Sequence, residues 1–267
     1  MTLLQILTAA ILHGLFDAVP TGGDLLDLRI LNGVPDADRL ALQIAVYFGL
    51  AGAALLFSAP TLWMMGRGLA RRAKGKRDPG APLFFFCLPN MVLPIVLWWL
   101  LSQFPSLSLS VLPMTIMTAI LAIALMMADH LGVTVRRLEH LGWMDSMIFA
   151  VTGALGLLPG LGRTVVLVIT GRLLGYERPD LLRLGILGLW PVLLVQAISM
   201  IFALSQQVEL IFSTDLLLAF AASFLCAALS LSIAFGWLQR RSYFPWALIR
   251  LAIALTSLLL MIFGIAG

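Results

Sequence analysis

Two proline- and glycine-rich segments decide how this sequence folds: residues 13–24 read HGLFDAVPTGGD, and residues 152–163 read TGALGLLPGLGR. Both lie inside apolar stretches, and their prolines, Pro20 and Pro159, are 139 residues apart. Backbone that leaves a helix inside hydrocarbon has unpaired N–H and C=O groups, so it must be buried in protein or line a wet cavity. Two such segments at corresponding positions in two halves of a chain indicate a membrane protein with a site between inverted repeats.

The composition places the chain in a membrane. Hydrophobic residues make up 61% of the 267 residues and charged residues 11%, and the mean hydropathy is +1.04. A soluble domain of this size cannot bury that much apolar surface. Apolar runs of roughly 20 residues, the length that crosses a bilayer, predict six transmembrane helices at 41–65, 82–104, 109–130, 184–205, 214–238 and 245–266.

Residues 3–31 and 146–176 are also apolar, but the proline segments divide each into halves that are too short to cross the membrane. We expect each stretch to form a re-entrant helix hairpin. The predicted fold is an all-α integral membrane protein with a single domain, 1–267, of six transmembrane helices and two hairpins. These form an inverted repeat of about 1–130 and about 140–267. Two kinked full spans are the alternative, and they also place both loops at membrane depth.

The basic residues predict the orientation. Six of them crowd the segment 67–77, and short cytoplasmic loops collect Lys and Arg. With this segment inside, Arg172 and Arg250 also fall on or near the cytoplasmic side. The first hairpin then enters from outside and the second from inside. A lipid-headgroup or nucleic-acid surface is the alternative for this segment, but no aromatic interleaving supports nucleic acid, so we expect no nucleic-acid partner.

Arg163 is the first candidate for phosphate binding. Gly160 and Gly162 end one short helix and Arg163 opens the next, so a guanidinium joins the free N–H groups of a helix N-terminus. The planar donors of arginine suit phosphate, and the location in a membrane suggests a phosphate-bearing lipid. In the first segment Gly22 and Gly23 offer the same cradle without the charge.

His13 and Asp17 are the catalytic candidates of the first segment. They are four residues apart and therefore share one helical face. The pair can act as a general base, with Asp17 orienting the imidazole. Asp17 can instead bind a divalent cation, Mg²⁺ or Ca²⁺, together with phosphate oxygens, and Asp24 is a second metal candidate. The structural alternatives are a buried hydrogen-bonded pair for these two residues and an ion pair of Arg163 with Asp17 or Asp24.

These segments resemble the bacterial undecaprenyl-diphosphatase family, also called the bacitracin-resistance family. The family's second motif is Pro-Gly-x-Ser-Arg-Ser-Gly, followed by Leu-Gly-x-x-Arg, and residues 158–164 (LPGLGRT) and 174–178 (LGYER) are similar to it. Residues 12–20 (LHGLFDAVP) resemble the opening of the first motif, and residues 241–250 (RSYFPWALIR) resemble the end of the family. The similarity runs in order from residue 4 to residue 266, and it implies the family's fold.

The first motif of this chain departs from the family pattern, in which the site uses two acidic positions, serines and a histidine. By the resemblance, His13 stands at the first acidic position and Asp17 at the second. The serine run is replaced by Thr21 and the glycines that follow it, and the histidine position is Leu26. This leaves one carboxylate and the loop, and it makes His13 a candidate to replace the missing histidine.

The second motif keeps the arginine of the family as Arg163. Gly162 stands at its first serine and Thr164 at its second. Thr164 is therefore a candidate nucleophile, and Thr21 a candidate phosphate ligand. For both threonines the alternative is helix capping, which is more common.

The resemblance implies hydrolysis of the terminal phosphate of a polyprenyl diphosphate in the inner membrane of a bacterium, with that lipid and the membrane lipids as partners. A non-hydrolytic carrier or flippase of a lipid phosphate is the alternative, because the loss of serines and histidine beside a retained Arg163 fits binding without cleavage. A structural membrane protein with a degenerate site is a third interpretation. A homodimer is compatible with the sequence.

Overall fold

The structure, a computed structural model, describes residues 2–21, 35–103, 110–205 and 214–263. Within these ranges the chain forms nine α-helices, one short 3-10 helix and no β-strand. The α-helices are α1 Leu3–Phe16, α2 Asp36–Ala73, α3 Gly80–Ser102, α4 Val111–Leu131, α5 Trp143–Leu155, α6 Arg163–Leu173, α7 Arg178–Ser205, α8 Thr214–Leu238 and α9 Phe244–Ile262.

Six of these helices, α2, α3, α4, α7, α8 and α9, are long and apolar enough to cross a membrane. They confirm the six predicted spans and show a multi-pass membrane protein. Two helices are longer than predicted: α7 begins at Arg178, and α2 continues to Ala73. The extension of α2 contains alanine, leucine and arginine, which favour a helix, and the chain turns only at Gly75, whose φ is +73°. Part of the predicted basic loop is therefore helical.

The basic side chains of residues 67–77 are exposed. Arg71 Nη1 lies 2.9 Å from Asp78 Oδ2, and the Gly80 N–H donates to the other carboxylate oxygen at 3.0 Å. The hydrogen bond from Gly80 and then the Arg71 guanidinium lower the pKa of Asp78. These contacts connect the end of α2 to the start of α3. The cytoplasmic location of this segment stays a prediction.

The three short helices belong to the two predicted hairpins. Helices α1, α5 and α6 have 14, 13 and 11 residues, or about 21, 20 and 17 Å at 1.5 Å per residue. Helices α5 and α6 pack against each other, so a helical hairpin exists there. Its re-entrant position in a bilayer stays a prediction. The second half of the first hairpin, with Gly22, Gly23 and Asp24, lies outside the described residues.

The helix contacts come in matching pairs. Helix α1 packs on α8, and α5 packs on α3; α2 packs on α7, and α4 packs on α9. If α1 to α4 correspond to α5 and α7 to α9, each of these four contacts maps onto another of the four or onto itself. This is the packing order expected of an inverted repeat, and the repeat itself stays a prediction.

A buried cluster around Asp129 joins the ends of four helices. Asp129 Oδ1 lies 3.0 Å from Arg172 Nε and 2.7 Å from Arg178 Nε. The Tyr243 N–H donates to Asp129 Oδ2 at 2.9 Å, and the Tyr243 hydroxyl donates to the Arg178 carbonyl at 2.7 Å. Arg172 was expected only as part of the basic cytoplasmic side, but its side chain is 1% exposed. It therefore belongs to the framework of the fold.

We expect Asp129→Asn to destabilise the protein strongly, because it leaves two guanidinium groups without their carboxylate. Removing one partner of a buried ion pair costs about 3–5 kcal/mol. Thermal unfolding in detergent measures the effect. Glu177→Gln, which breaks the exposed Arg137–Glu177 pair, is the control and should unfold near the wild-type temperature. Equal unfolding temperatures for the two variants would contradict this role of Asp129.

Candidate functional site

A cavity of about 320 Å³ lies between α2, α7 and the loop of residues 156–162. The two proline segments meet there, because both Pro20 and Pro159 line it. Much of the wall from α7 is apolar. The polar and charged side chains that line the cavity are Asp17, Arg39, Gln43, Tyr47, Arg163, Thr164, Gln196 and Arg250.

Arg163 is the first residue of α6 and carries a buried cation into this cavity. The residue is 5% exposed, and its Nη2 donates to the Asn90 carbonyl at 2.8 Å. Its Nε and Nη1 have no hydrogen-bond partner among the described residues, and within those ranges it forms no ion pair with Asp17. Burying donors without partners is costly, and an ionisable group deep in a membrane protein marks a functional site. The arrangement fits an anionic ligand that accepts from both nitrogens.

The partner of Arg163 is a backbone carbonyl that α3 does not use itself. In a helix the Asn90 carbonyl would accept from residue 94, but that residue is Pro94, which has no N–H. The Asn90 side chain is 1% exposed and donates to the Leu184 carbonyl at 3.0 Å. The carbonyl that proline frees in α3 thus holds one edge of the guanidinium of Arg163, a residue that lines the cavity.

Gly188 provides the space that the guanidinium occupies. A Cβ at this position of α7 would lie 2.1 Å from Arg163 Nη2 and 2.8 Å from the Asn90 carbonyl oxygen. No side chain fits there without moving the arginine. Gly188 therefore positions Arg163 although it has no side chain to bind a ligand.

Arg250 of α9 anchors the loop of residues 156–162 by hydrogen bonds. Its Nη2 donates to the carbonyls of Gly160 at 3.0 Å and Leu161 at 2.7 Å, and the Thr118 hydroxyl also donates to Gly160 at 3.2 Å. These bonds satisfy backbone groups that the loop cannot pair within a helix. Arg250 was predicted on or near the cytoplasmic side, and that location stays a prediction; the residue is 1% exposed and lines the cavity. Sequence reasoning missed this role.

His13 and Asp17 form the predicted pair, with His13 Nδ1 hydrogen-bonded to Asp17 Oδ2. The carboxylate of Asp17 lines the cavity, whereas His13 lies behind it, 4% exposed, with its ring edge-on to Tyr47 at 6.3 Å. Catalysis by His13, with Asp17 orienting its imidazole, stays a prediction. The histidine supports a carboxylate that faces the cavity.

The two threonines differ in position. Thr164 lies in the first turn of α6 and lines the cavity beside Arg163. The Thr21 hydroxyl donates to the Phe16 carbonyl at 2.6 Å and does not line the cavity. This bond lies at the C-terminal end of α1, and a role of Thr21 in phosphate binding stays a prediction. Of the predicted glycines, Gly162 lines the cavity, and Gly160 supports the loop through its carbonyl.

No group of three or more His, Cys, Asp or Glu side chains suited to a metal ion occurs in the described residues. Within the described residues, Asp17 supplies the carboxylate that lines the cavity. Asp24 lies outside the described residues. The described donors alone do not make a metal site. Binding of Mg²⁺ or Ca²⁺ by Asp17 and Asp24 stays a prediction.

A family profile described as "Bacitracin resistance protein BacA" matches residues 7–256 of the chain. The chain belongs to this family. It is similar to undecaprenyl-diphosphatase 1 of Paramagnetospirillum magneticum, with 33% identity over 99% of both chains. It is also similar to undecaprenyl-diphosphatase 1 of Rhodospirillum rubrum, with 32% identity over 99% of this chain and 97% of the relative. Undecaprenyl-diphosphatase of Roseobacter denitrificans is 26% identical over 97% and 98%.

By the resemblance to the family, Gly162 stands at the first serine of the second motif, and it lines the cavity. Its φ is +73°, which side chains rarely adopt, and a Cβ would lie 3.0 Å from Arg250 Nη1. A serine in this backbone conformation would be strained and would press on Arg250. The loop geometry of this chain therefore disfavours a side-chain hydroxyl at position 162.

We expect Arg250→Lys to loosen the loop of residues 156–162. Lysine keeps the charge, but its single ammonium group lacks the planar fork that donates to neighbouring carbonyls. Amide hydrogen exchange measured by mass spectrometry should show faster exchange in this loop by about tenfold or more, since each lost hydrogen bond to a charged group costs about 1.5–3 kcal/mol. Arg240→Lys, at an exposed arginine, is the control. Unchanged exchange in Arg250→Lys would contradict the anchoring role.

We expect Gly188→Ala to abolish anion binding by displacing the Arg163 guanidinium. Isothermal titration with pyrophosphate should show a loss of affinity of about tenfold or more, because the charged hydrogen bonds are lost. Gly185→Ala on the same helix is the matched control, since its Cβ would make an ordinary contact of 3.4 Å with Thr164. Equal affinities in the two variants would show that Gly188 does not position Arg163.

Proposed function

We propose that the protein is a membrane phosphohydrolase that removes the terminal phosphate from a polyprenyl diphosphate. The observation that carries the proposal is the buried Arg163, with two unpartnered nitrogens at a cavity that Asp17 also lines. Membership in the BacA family and relatives named undecaprenyl-diphosphatase support the same substrate class. We place the protein in the inner membrane of a bacterium, where such a lipid and the membrane lipids surround it.

Arg163 binds the phosphates in this proposal. Its Nε and Nη1 donate to phosphate oxygens, and the N–H groups of the first turn of α6, which begins at Arg163, are further donors. During transfer, negative charge shifts onto the oxygens of the terminal phosphate and the bridging oxygen. Donors fixed beforehand in a site from which water is largely excluded stabilise that charge without reorganising. The Asn90 carbonyl and Gly188 hold the guanidinium in place for this.

Asp17 accepts the proton of the attacking water. The water oxygen bonds to the terminal phosphorus, and the bond from that phosphorus to the bridging oxygen breaks. Its electron pair stays on the bridging oxygen, which leaves as part of the lipid monophosphate, and inorganic phosphate is the second product. His13, hydrogen-bonded to the far side of Asp17, orients the carboxylate and stabilises its charge. The hydroxyl of Thr164 is the candidate nucleophile in a route through a phosphoenzyme.

The apolar part of the cavity suits the prenyl chain of such a lipid. Leu189, Val192 and Leu193 line it from one face of α7, at the i, i+3, i+4 spacing of a helical stripe. The lipid can thus keep its chain in apolar surroundings while its phosphates reach Arg163. This matches the usual form of a ligand site, an apolar pocket with a few polar groups that fix orientation.

A non-hydrolytic carrier of a lipid phosphate is the second candidate, and Gly162 favours it. This glycine removes a hydroxyl from the position next to Arg163, and its positive φ disfavours any side chain there. A cavity with the arginine but without that hydroxyl can bind a phosphate without cleaving it. Phosphate release separates the two candidates.

The deciding assay is phosphate release from farnesyl diphosphate, and from a C55 prenyl diphosphate, by purified protein in detergent. Each reaction is run with Mg²⁺, with Ca²⁺ and with a chelator. The variants are Arg163→Ala and Asp17→Asn, and Arg240→Gln at an exposed arginine is the control for the loss of a positive charge. We expect both site variants to lower release by about 100-fold or more, as for removal of a group that stabilises transition-state charge, and the control to match wild type.

His13→Ala distinguishes a positioning residue from a merely structural one in the same assay. We expect a lower rate and a changed pH profile, because the pair, rather than Asp17 alone, sets the pH at which the carboxylate accepts a proton. No release by the wild type, together with lipid binding that Arg163→Ala abolishes, would contradict hydrolysis and support the carrier. Full activity in Arg163→Ala would contradict both candidates.

A further inference from the structure

Arg39 is a second cation of the cavity that a ligand can reach. It lies in the first turn of α2, is partly buried and lines the same cavity as Arg163. Within the described ranges its guanidinium forms no hydrogen bond and no ion pair. Arg250 differs, because its guanidinium donates to the loop carbonyls of Gly160 and Leu161.

Arg39 belongs to a polar stripe along α2. Arg39, Gln43 and Tyr47 are four residues apart in turn and all line the cavity, so they share one face of the helix. At 1.5 Å per residue the stripe extends along the helix axis for about 12 Å. Tyr47 contacts the ring of His13 at 6.3 Å. The stripe therefore runs from the His13–Asp17 pair to the first turn of α2.

Gln196 of α7 lines the cavity as a further polar group beyond the apolar residues of that helix. A single phosphate at Arg163 gives no partner to Arg39. A second phosphate, linked to the first, adds the anionic charge that a second arginine neutralises, and glutamine amides can donate to it. The polar part of the cavity is thus larger than one phosphate requires.

We propose that Arg39 binds the second phosphate of a diphosphate lipid and makes the cavity prefer diphosphates over monophosphates. This inference rests on the proposed function, because it takes Arg163 as the arginine that binds the first phosphate. After cleavage the lipid monophosphate has no group for Arg39, so the product binds more weakly than the substrate. Arg39 is a specificity-determining residue in this account, and Gln43 assists it.

The test compares the affinities of farnesyl diphosphate and farnesyl phosphate, measured by isothermal titration in detergent. The proteins are the wild type, Arg39→Gln, Arg163→Ala and the control Arg240→Gln, which removes the same charge at an exposed position. We expect Arg39→Gln to weaken the affinity for the diphosphate by about tenfold or more, because charged hydrogen bonds to one phosphate are lost. The affinity for the monophosphate should change by less than about twofold. Arg163→Ala should lose both ligands.

Two results would overturn the inference alone. Equal weakening of both ligands in Arg39→Gln would make Arg39 a source of general attraction for anions. Unchanged binding of both would leave it no role, while loss of binding in Arg163→Ala would still support the proposed function. Wild-type protein that binds neither ligand, or Arg163→Ala that binds both, would contradict the proposed function and this inference together.

Discussion

The rest of this site is arranged around the burial of one guanidinium group, that of Arg163. Arg163 is 5% exposed, and its guanidinium donates to a single backbone acceptor, the Asn90 carbonyl. Three helices supply what it requires: α6 positions its Cα, Pro94 of α3 frees the acceptor, and Gly188 of α7 leaves the space. A charge this deep is costly without a counter-charge. Within the described residues no side chain supplies that counter-charge to Arg163, and we propose that a bound anionic ligand does.

The loop that presents Arg163 depends on support from a distant part of the chain. Its carbonyls at Gly160 and Leu161 have no partners within a helix, and Arg250 of α9 supplies them. A second arginine is thus used to satisfy backbone, and a third, Arg39, lines the cavity. We propose that the three arginines serve different purposes in one site: Arg163 binds the ligand, Arg250 supports the loop and Arg39 determines specificity.

The sequence predicted the parts of this arrangement that are local. Six continuous apolar runs are readable as spans, and an arginine after a Pro-Gly loop in an apolar stretch is readable as a buried charge. The pair of His13 and Asp17 followed from helical spacing, although which of the two faces the cavity did not. Arg250 and Asn90 could not be placed, because their partners are at least 73 residues away. The signal that was available for Asn90 is Pro94 four residues later. Gly22, Gly23 and Asp24 lie outside the described residues, and their roles stay predictions.

The central claim is that Arg163 contacts ligand phosphate directly. Solid-state NMR can measure it through the dipolar coupling between ¹⁵N of labelled arginine side chains and ³¹P of bound farnesyl diphosphate, in a phosphorus-free detergent. We expect a coupling that corresponds to a nitrogen–phosphorus distance of about 4 Å, as for a charge-assisted hydrogen bond to a phosphate oxygen. The coupled arginine signal should disappear in Arg163→Lys. A bound ligand whose phosphorus couples to other arginines but not to Arg163 would contradict the account.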